Sequence, residues 1–198
     1  MKAPYFREFA TDSRPLLIAA VFAVDLAAWA AHYRNWLWLV VLAGLVFFYI
    51  IEYFIHRYIL HGLMRKILPK AYEGHVHHHI APTQMKYLLT PNVYNLPGYV
   101  AIWLATWAVT GRVVTTAAFV CGVCLAQLNY EWTHFVSHRP IVPRTAVGRW
   151  MKKFHLLHHY MNENYWFGVT HPAMDMLFHT APDKHAVEHV APPSEHLP

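Results

Sequence analysis

Ten of the seventeen histidines in this sequence fall into four spaced groups. They are His56 and His61 as H-x4-H, His75, His78 and His79 as H-x2-H-H, His134 and His138 as H-x3-H, and His155, His158 and His159 as a second H-x2-H-H. Residues three and four apart share one face of a helix, so each H-x2-H-H presents three imidazoles together and His134/His138 is ready to chelate. His56 and His61 are about 140° apart on an ideal helix. The helix end must therefore bend, or the two must serve different ions. Neutral imidazole suits Fe, Zn, Cu and Ni, so the spacing argues for a metal without naming it. Ten ligands exceed what one ion can take. They suit a pair of ions with about four or five protein ligands each, with positions left open as a catalytic site requires.

Carboxylates are scarce. Glu52 stands four before His56 and Glu131 three before His134, and each could orient a ligand by accepting its second ring N–H. Helix-end capping, or an ion pair with Arg57 or Arg139, is the competing reading of both. A single Glu-x-x-His, at Glu131/His134, is too few for a ferritin-type bundle. The lack of H-E-x-x-H argues against a zincin protease. No catalytic residue is expected beyond the metal ligands. Isolated histidines near a membrane surface are ordinarily interfacial or core residues, and His32, His185, His189 and His196 are read so. His77 lies inside a group but off its spacing. His171 and His179 follow the last group closely enough to lie behind the ligands or to face the substrate.

The elements that must position these residues are apolar. Of the 198 residues 56% are hydrophobic and 14% charged, against about 45–50% and 25% in ordinary soluble domains. The shortfall is concentrated in long runs of about the length a bilayer needs. The first runs from Pro15 to about Ala31, broken by Asp25. Ala28-Trp29-Ala30 resembles a signal cleavage site, but a retained helix with Asp25 as a hydrogen-bonded helix-contact residue fits the run better. The second runs from Trp36 to Ile55, and the third from near Pro97 to the Gly111-Arg112 turn. The fourth runs from Val113 to about Tyr130. Cys121 and Cys124 form a C-x2-C inside it, where small core or lipid-facing residues are expected rather than a redox pair. With the N-terminus cytoplasmic, only Arg34 and Arg112 of the sixteen Lys and Arg fall outside, as the positive-inside rule requires. All four histidine groups then meet on the cytoplasmic face. The expected fold is an all-α integral membrane protein of about four transmembrane helices with a cytoplasmic histidine-rich helical cap. One domain spans 1–198. The net charge of +5 reflects this topology and implies no nucleic acid.

The four groups in order, within 52–180, resemble the fatty acid hydroxylase and sterol desaturase superfamily of membrane di-iron oxygenases. Three stretches are most similar to its fatty acid 2-hydroxylase branch: Glu52-Tyr-Phe-Ile-His-Arg57; His78-His-Ile-Ala-Pro82 with Pro91; and Phe167-Gly-Val-Thr170 with Asp175-Met-Leu-Phe-His-Thr180. The resemblance implies two irons held by the ten histidines, with zinc as an alternative occupant of the isolated protein. It implies O2 as co-substrate and hydroxylation of a long acyl chain at C2, free or in a sphingolipid such as ceramide. The lipid would come from the bilayer, of the bacterial inner membrane or the endoplasmic reticulum. Some relatives carry a fused cytochrome b5 domain, and the segment before residue 15 has no room for one. A separate electron donor is therefore expected, such as cytochrome b5 or a ferredoxin. The alternatives are a carotenoid ring hydroxylase or a sterol desaturase or methyl oxidase of the same superfamily. A zinc-binding or zinc-transporting membrane protein is the alternative outside catalysis, although only Asp25 stands at mid-membrane depth where transport would need several ionisable groups.

Overall fold

The computed structural model describes residues 3–190, with the backbone alone at Ala3, Leu63 and Met64. Every regular element among the described residues is helical. In chain order they are α1 (Ala3–Ala10), α2 (Ser13–Ala30), α3 (Leu37–Phe54), α4 (Pro69–Ile80), α5 (Met85–Leu88), α6 (Asn92–Thr110), α7 (Val113–Ser137), α8 (Ala146–Tyr160) and α9 (Ala173–Leu177). A π-helical turn, Ile55–Leu60, prolongs α3, and short 3-10 turns lie at Leu63–Lys66 and Lys184–Ala186. The chain divides into two compact units, Met1–Tyr49 with Thr90–Glu131 and Ile50–Leu89 with Trp132–Pro198.

Among the described residues three helices are long and apolar enough to cross a membrane: Ser13–Ala30, Leu37–Leu60 and Val113–Ser137. The protein is an integral membrane protein. The boundaries differ from the sequence expectation in two places. α6 begins at Asn92, with Pro97 inside it, and it is not among the three apolar spans. Its first turns carry Asn92, Tyr94 and Asn95, which lower its hydropathy. α7 runs on past Tyr130 to Ser137, so the helix itself carries Glu131 and His134.

In the first unit the helix ends are written locally. The Asp12 carboxylate caps α2 by accepting from the Arg14 N–H, 2.9 Å, as short polar residues do at this position. Gly111, at φ 62°, closes α6 in the left-handed region, and its N–H reaches the Trp107 carbonyl. α3 and α7 meet through glycines. A Cβ on Gly122 would strike the Val41 carbonyl, and one on Gly44 the Phe119 carbonyl. Small residues are what lets membrane helices approach so closely. Around them Trp29, Leu37, Val41, Ala117, Ala118 and Cys121 form one buried cluster, and Ile18, Tyr99, Val120, Val123 and Cys124 another. Both cysteines are buried and free, as core residues. Hydrogen bonds join α6 to its neighbours. Tyr99 Oη donates to Gln127 at 2.5 Å, Gln127 to Asn95 at 2.8 Å, and Trp103 Nε1 to Asp25 at 3.3 Å. Asp25 is thus the hydrogen-bonded contact that its place in the run suggested.

The second unit holds the π-helical turn, α4, α5, the end of α7, α8 and the segment after it. Pro69 opens α4 at its first turn, where a missing N–H costs nothing. Thr145 caps α8 by accepting from the Gly148 N–H, 3.0 Å. Lys152 Nζ donates to the carbonyls of Val136, Arg139 and Ile141 at 2.7–2.9 Å, pinning the end of α7 to α8. Met151, Phe154 and Trp166 form the small apolar core. Trp166 has φ 56°, an uncommon conformation for a bulky residue. Its N–H bonds the Thr180 carbonyl at 2.8 Å.

Candidate metal centre

The π-helical turn resolves the awkward five-residue spacing. Its i→i+5 bond, from the His61 N–H to the His56 carbonyl at 3.2 Å, stacks residues five apart. The two rings that an α-helix would splay are brought to 5.1 Å between centroids. α4 carries His75, His78 and His79 on its last turns, and α8 carries His155, His158 and His159 on its own. The end of α7 gives His134, with His138 just beyond it.

All ten histidines come together, in two sets of five. His56, His61, His75, His79 and His158 form one, and His78, His134, His138, His155 and His159 the other, with one ring nitrogen from each residue lying within 4.8 Å of every other in its set. The sorting follows helix geometry. Each H-x2-H-H helix gives its i, i+4 pair to one set and its i+3 residue to the other. Each set is completed by a pair from a span end, the π-helical turn for the first and α7 for the second. The sets adjoin: His79 and His159 stack at 4.1 Å between ring centroids.

The orientation of the rings tests whether a cation fits. His56 Nδ1 bonds the Phe167 carbonyl at 2.5 Å and His158 Nδ1 the Tyr165 carbonyl at 2.8 Å. A carbonyl only accepts, so both Nδ1 atoms are the protonated ones and both Nε2 atoms face inward as lone pairs. There they meet other imidazoles: His56 Nε2 lies 3.1 Å from His75 Nε2, and His158 Nε2 3.1 Å from His61 Nε2. In the second set His138 Nε2 and His155 Nε2 are 2.9 Å apart, and both ring nitrogens of His78 and of His159 are buried without a hydrogen-bond partner. Protonation does not relieve this crowding. Burial first, and then the neighbouring imidazoles, push His61, His75, His78, His155 and His159 well below the usual histidine range. Neutral, converging, buried imidazoles are the form that binds a transition metal. The residues present fit such an ion in each set.

The carboxylates act differently from either sequence reading. Glu52 accepts from the Val169 N–H at 2.8 Å, the Thr170 N–H at 3.2 Å and Thr170 Oγ1 at 2.7 Å. Glu131 accepts from the Thr90 N–H at 3.2 Å. Neither takes a histidine N–H or pairs with Arg57 or Arg139. Arg57 donates instead to Tyr53 Oη at 2.6 Å, and Arg139 to the Thr83 carbonyl at 2.7 Å. Asp175, fully buried, accepts from the Phe167 N–H, the Gly168 N–H and Thr180 Oγ1 at 2.7–2.8 Å. Glu52 and Asp175 thus clamp the strip 167–170, whose Phe167 carbonyl holds His56. Sequence reasoning missed these carbonyl partners, since every residue has one and no side-chain type marks it. The resemblance of 167–180 pointed to the segment but not to its role.

The remaining histidines stand apart from both sets. His77 stacks on Tyr87 at 5.0 Å between centroids, and His171 Nδ1 accepts from the Ala173 N–H at the start of α9, 3.2 Å. His32, His179, His185 and His189 are exposed. His196 lies outside the described residues.

A helical membrane chain that gathers ten imidazoles into two adjoining donor sets defines a class, membrane proteins with histidine sites for metal. The family follows from comparison with known proteins. Residues 41–180 match the fatty acid hydroxylase family, and the chain belongs to that family. It is 28% identical over 150 residues to the dihydroceramide fatty acyl 2-hydroxylase FAH1 of Arabidopsis thaliana, covering 72% of this chain and 60% of that protein. It is 25% identical over 180 residues to the fatty acid 2-hydroxylase of Macaca fascicularis, covering 89% of this chain and 47% of the relative. The chain thus spans about half to three-fifths of the length of these relatives. Among solved structures the visible hydroxylase domain of Scs7p superposes with a TM-score of 0.72 at 23% identity, over 88% of this chain and 65% of that one. That likeness establishes the fold.

Proposed function

We propose that this protein is a membrane di-iron hydroxylase that inserts one oxygen atom from O2 at C2 of a long acyl chain, free or within a ceramide. The observation that carries the reading is the pair of adjoining five-imidazole sets in a chain of the fatty acid hydroxylase family. The curated relatives, named as acyl 2-hydroxylases, supply the position on the chain. An aliphatic C–H bond offers a side-chain base or nucleophile nothing to act on, so two irons, one in each set, would supply the O2 activation.

The chain's own residues do the rest. The ten histidines hold the ions in their neutral form. The carbonyls of Tyr165 and Phe167 keep His158 and His56 in the ligating tautomer. Eight of the ten ligands are fully buried, His61 and His75 being half-buried, which keeps bulk water from the reacting centre. The Lys and Arg distribution supports a site on the cytoplasmic side, where a separate electron donor would reach it while the acyl chain would come from lipid.

Lipid mass spectrometry of cells expressing the protein with a competent electron donor under 18O2 tests this. A 2-hydroxyacyl species with one 18O is expected from the intact protein and not from His155→Ala. Unlabelled new double bonds would make the protein a desaturase instead. Full product formation and unchanged iron content in His155→Ala would overturn the assignment of the site.

A further inference from the structure

Arg57 follows the ligand His56 directly, and neither donor set uses it. It stands in the π-helical turn near the end of the span Leu37–Leu60, the depth at which lipid headgroups meet a membrane chain. Its guanidinium sits among four rings. Cζ lies 5.1 Å from the centroid of Tyr58, 5.8 Å from Tyr53 and 5.9 Å from both Phe167 and Phe178. A guanidinium carries five N–H donors, and among the described residues this one makes a single hydrogen bond, to Tyr53 Oη at 2.6 Å. An arginine only donates, so Tyr53 gives its own proton to Thr180 Oγ1 at 3.0 Å, and Thr180 donates to Asp175 at 2.7 Å. Asp175 also holds the Phe167 and Gly168 N–H groups. No carboxylate among the described residues pairs with Arg57 directly. The apolar side chains beside it are open. Phe178 stacks on Tyr53 at 5.5 Å between centroids, and the two residues before it, Met176 and Leu177, are 62% and 66% exposed.

We propose that Arg57 binds the anionic end of the lipid substrate, taking a carboxylate or phosphate oxygen in its fork beside the exposed apolar residues of α9. This rests on the reading of the substrate as an acyl lipid and narrows it to one with a charged end. The planar fork suits a carboxylate or a phosphate, since either accepts two parallel N–H bonds. Four rings around a half-buried cation exclude much of its water, so an anion gains more there than on an open surface. Phe167 joins this place to the metal centre. Its ring is 5.9 Å from Arg57 Cζ and 5.6–5.9 Å from the rings of His56, His61 and His158. An anionic end held at Arg57 is therefore a single ring away from the first donor set. A neutral ceramide brings no charge to the fork, whereas a free acid or a phosphate-bearing sphingolipid does.

The test is binding without turnover, on the full chain in a neutral detergent. The probes are two spin-labelled pairs, stearate with its methyl ester and ceramide 1-phosphate with ceramide, and the immobilised fraction of each gives its Kd. Wild type is expected to prefer the anionic member of at least one pair by about tenfold or more. Which pair shows it tells carboxylate from phosphate. Arg57→Gln is expected to erase the preference, and Arg57→Lys, which keeps the charge without the fork, to retain part of it. A purely structural arginine would weaken both members of a pair alike and leave their ratio unchanged. No preference in wild type, or one that survives in Arg57→Gln, would overturn the proposal. Under 18O2, Arg57→Gln should raise KM for the preferred lipid about tenfold and change kcat far less. An unchanged KM would overturn the assignment to the substrate. Absence of any hydroxylated product from wild type would remove the hydroxylase reading, while the binding ratio would still decide for or against Arg57.

Discussion

The peptide of Phe167 reaches the metal centre without lending a side chain to it. Its carbonyl fixes His56, its N–H is held by Asp175, and two residues on the chain is tied to Glu52. Asp175→Ala would leave the Phe167 and Gly168 N–H groups buried and unpaired, at about 1–3 kcal/mol each. A fall of that order in unfolding free energy is expected, read by denaturant titration in detergent, with loss of metal from the His56 set first. Glu52→Gln keeps one acceptor oxygen and should cost less than Glu52→Ala; equal losses would show that both carboxylate oxygens are needed as acceptors. The ten imidazoles were legible in the sequence because their type is rare and their spacing matches a helix. The strip that orients them was not. It works through backbone atoms common to all residues, and through a left-handed Trp166 that propensity gives no reason to expect.

At the scale of elements, the apolar runs marked α2, α3 and α7, since composition alone makes a span. The joints between elements were less legible. A π-helical turn has no sequence signature of its own; the mismatch of H-x4-H with an α-helix said only that something must bend. Pro97 was read as the start of a helix that in fact begins five residues earlier, because proline is usual in a first turn. The contact between α3 and α7 gives a prediction with two signs. Gly122→Ala places a Cβ against the Val41 carbonyl and should destabilise by about 1–3 kcal/mol. Gly98→Ala, on α6 with nothing within 4 Å, should stabilise by up to about 1 kcal/mol through helix propensity. Thermal unfolding in one detergent compares them; equal behaviour would mean that the glycine contact is not tight in the folded protein.

Over the whole molecule, the shared sets constrain topology. α4 and α8 put histidines into the same two sets, so both lie on one face of the membrane. α7 arrives at that face with His134. If α7 crosses, its start at Val113 lies on the other face, and α6 must cross as well, although its composition falls short of the other three. A cysteine placed at Gly111 should then be labelled by an impermeant thiol reagent from the side opposite to one placed at Lys184. The native Cys121 and Cys124 are buried and leave a low background. Labelling of both from one side would mean that α7 does not cross.

The division of each H-x2-H-H between two sets also limits how the gene can vary in length. One residue inserted or deleted inside α4 or α8 turns everything beyond it by about 100°. Since the i, i+4 pair serves one set and the i+3 residue the other, no rotated register satisfies either. A frame-preserving indel within these helices therefore strikes both sites at once. The same change in the connections at 62–68 or 139–145 shifts no ligand against its neighbours on the helix. Homologous genes should carry their insertions and deletions in those connections and keep the two ligand helices at constant length.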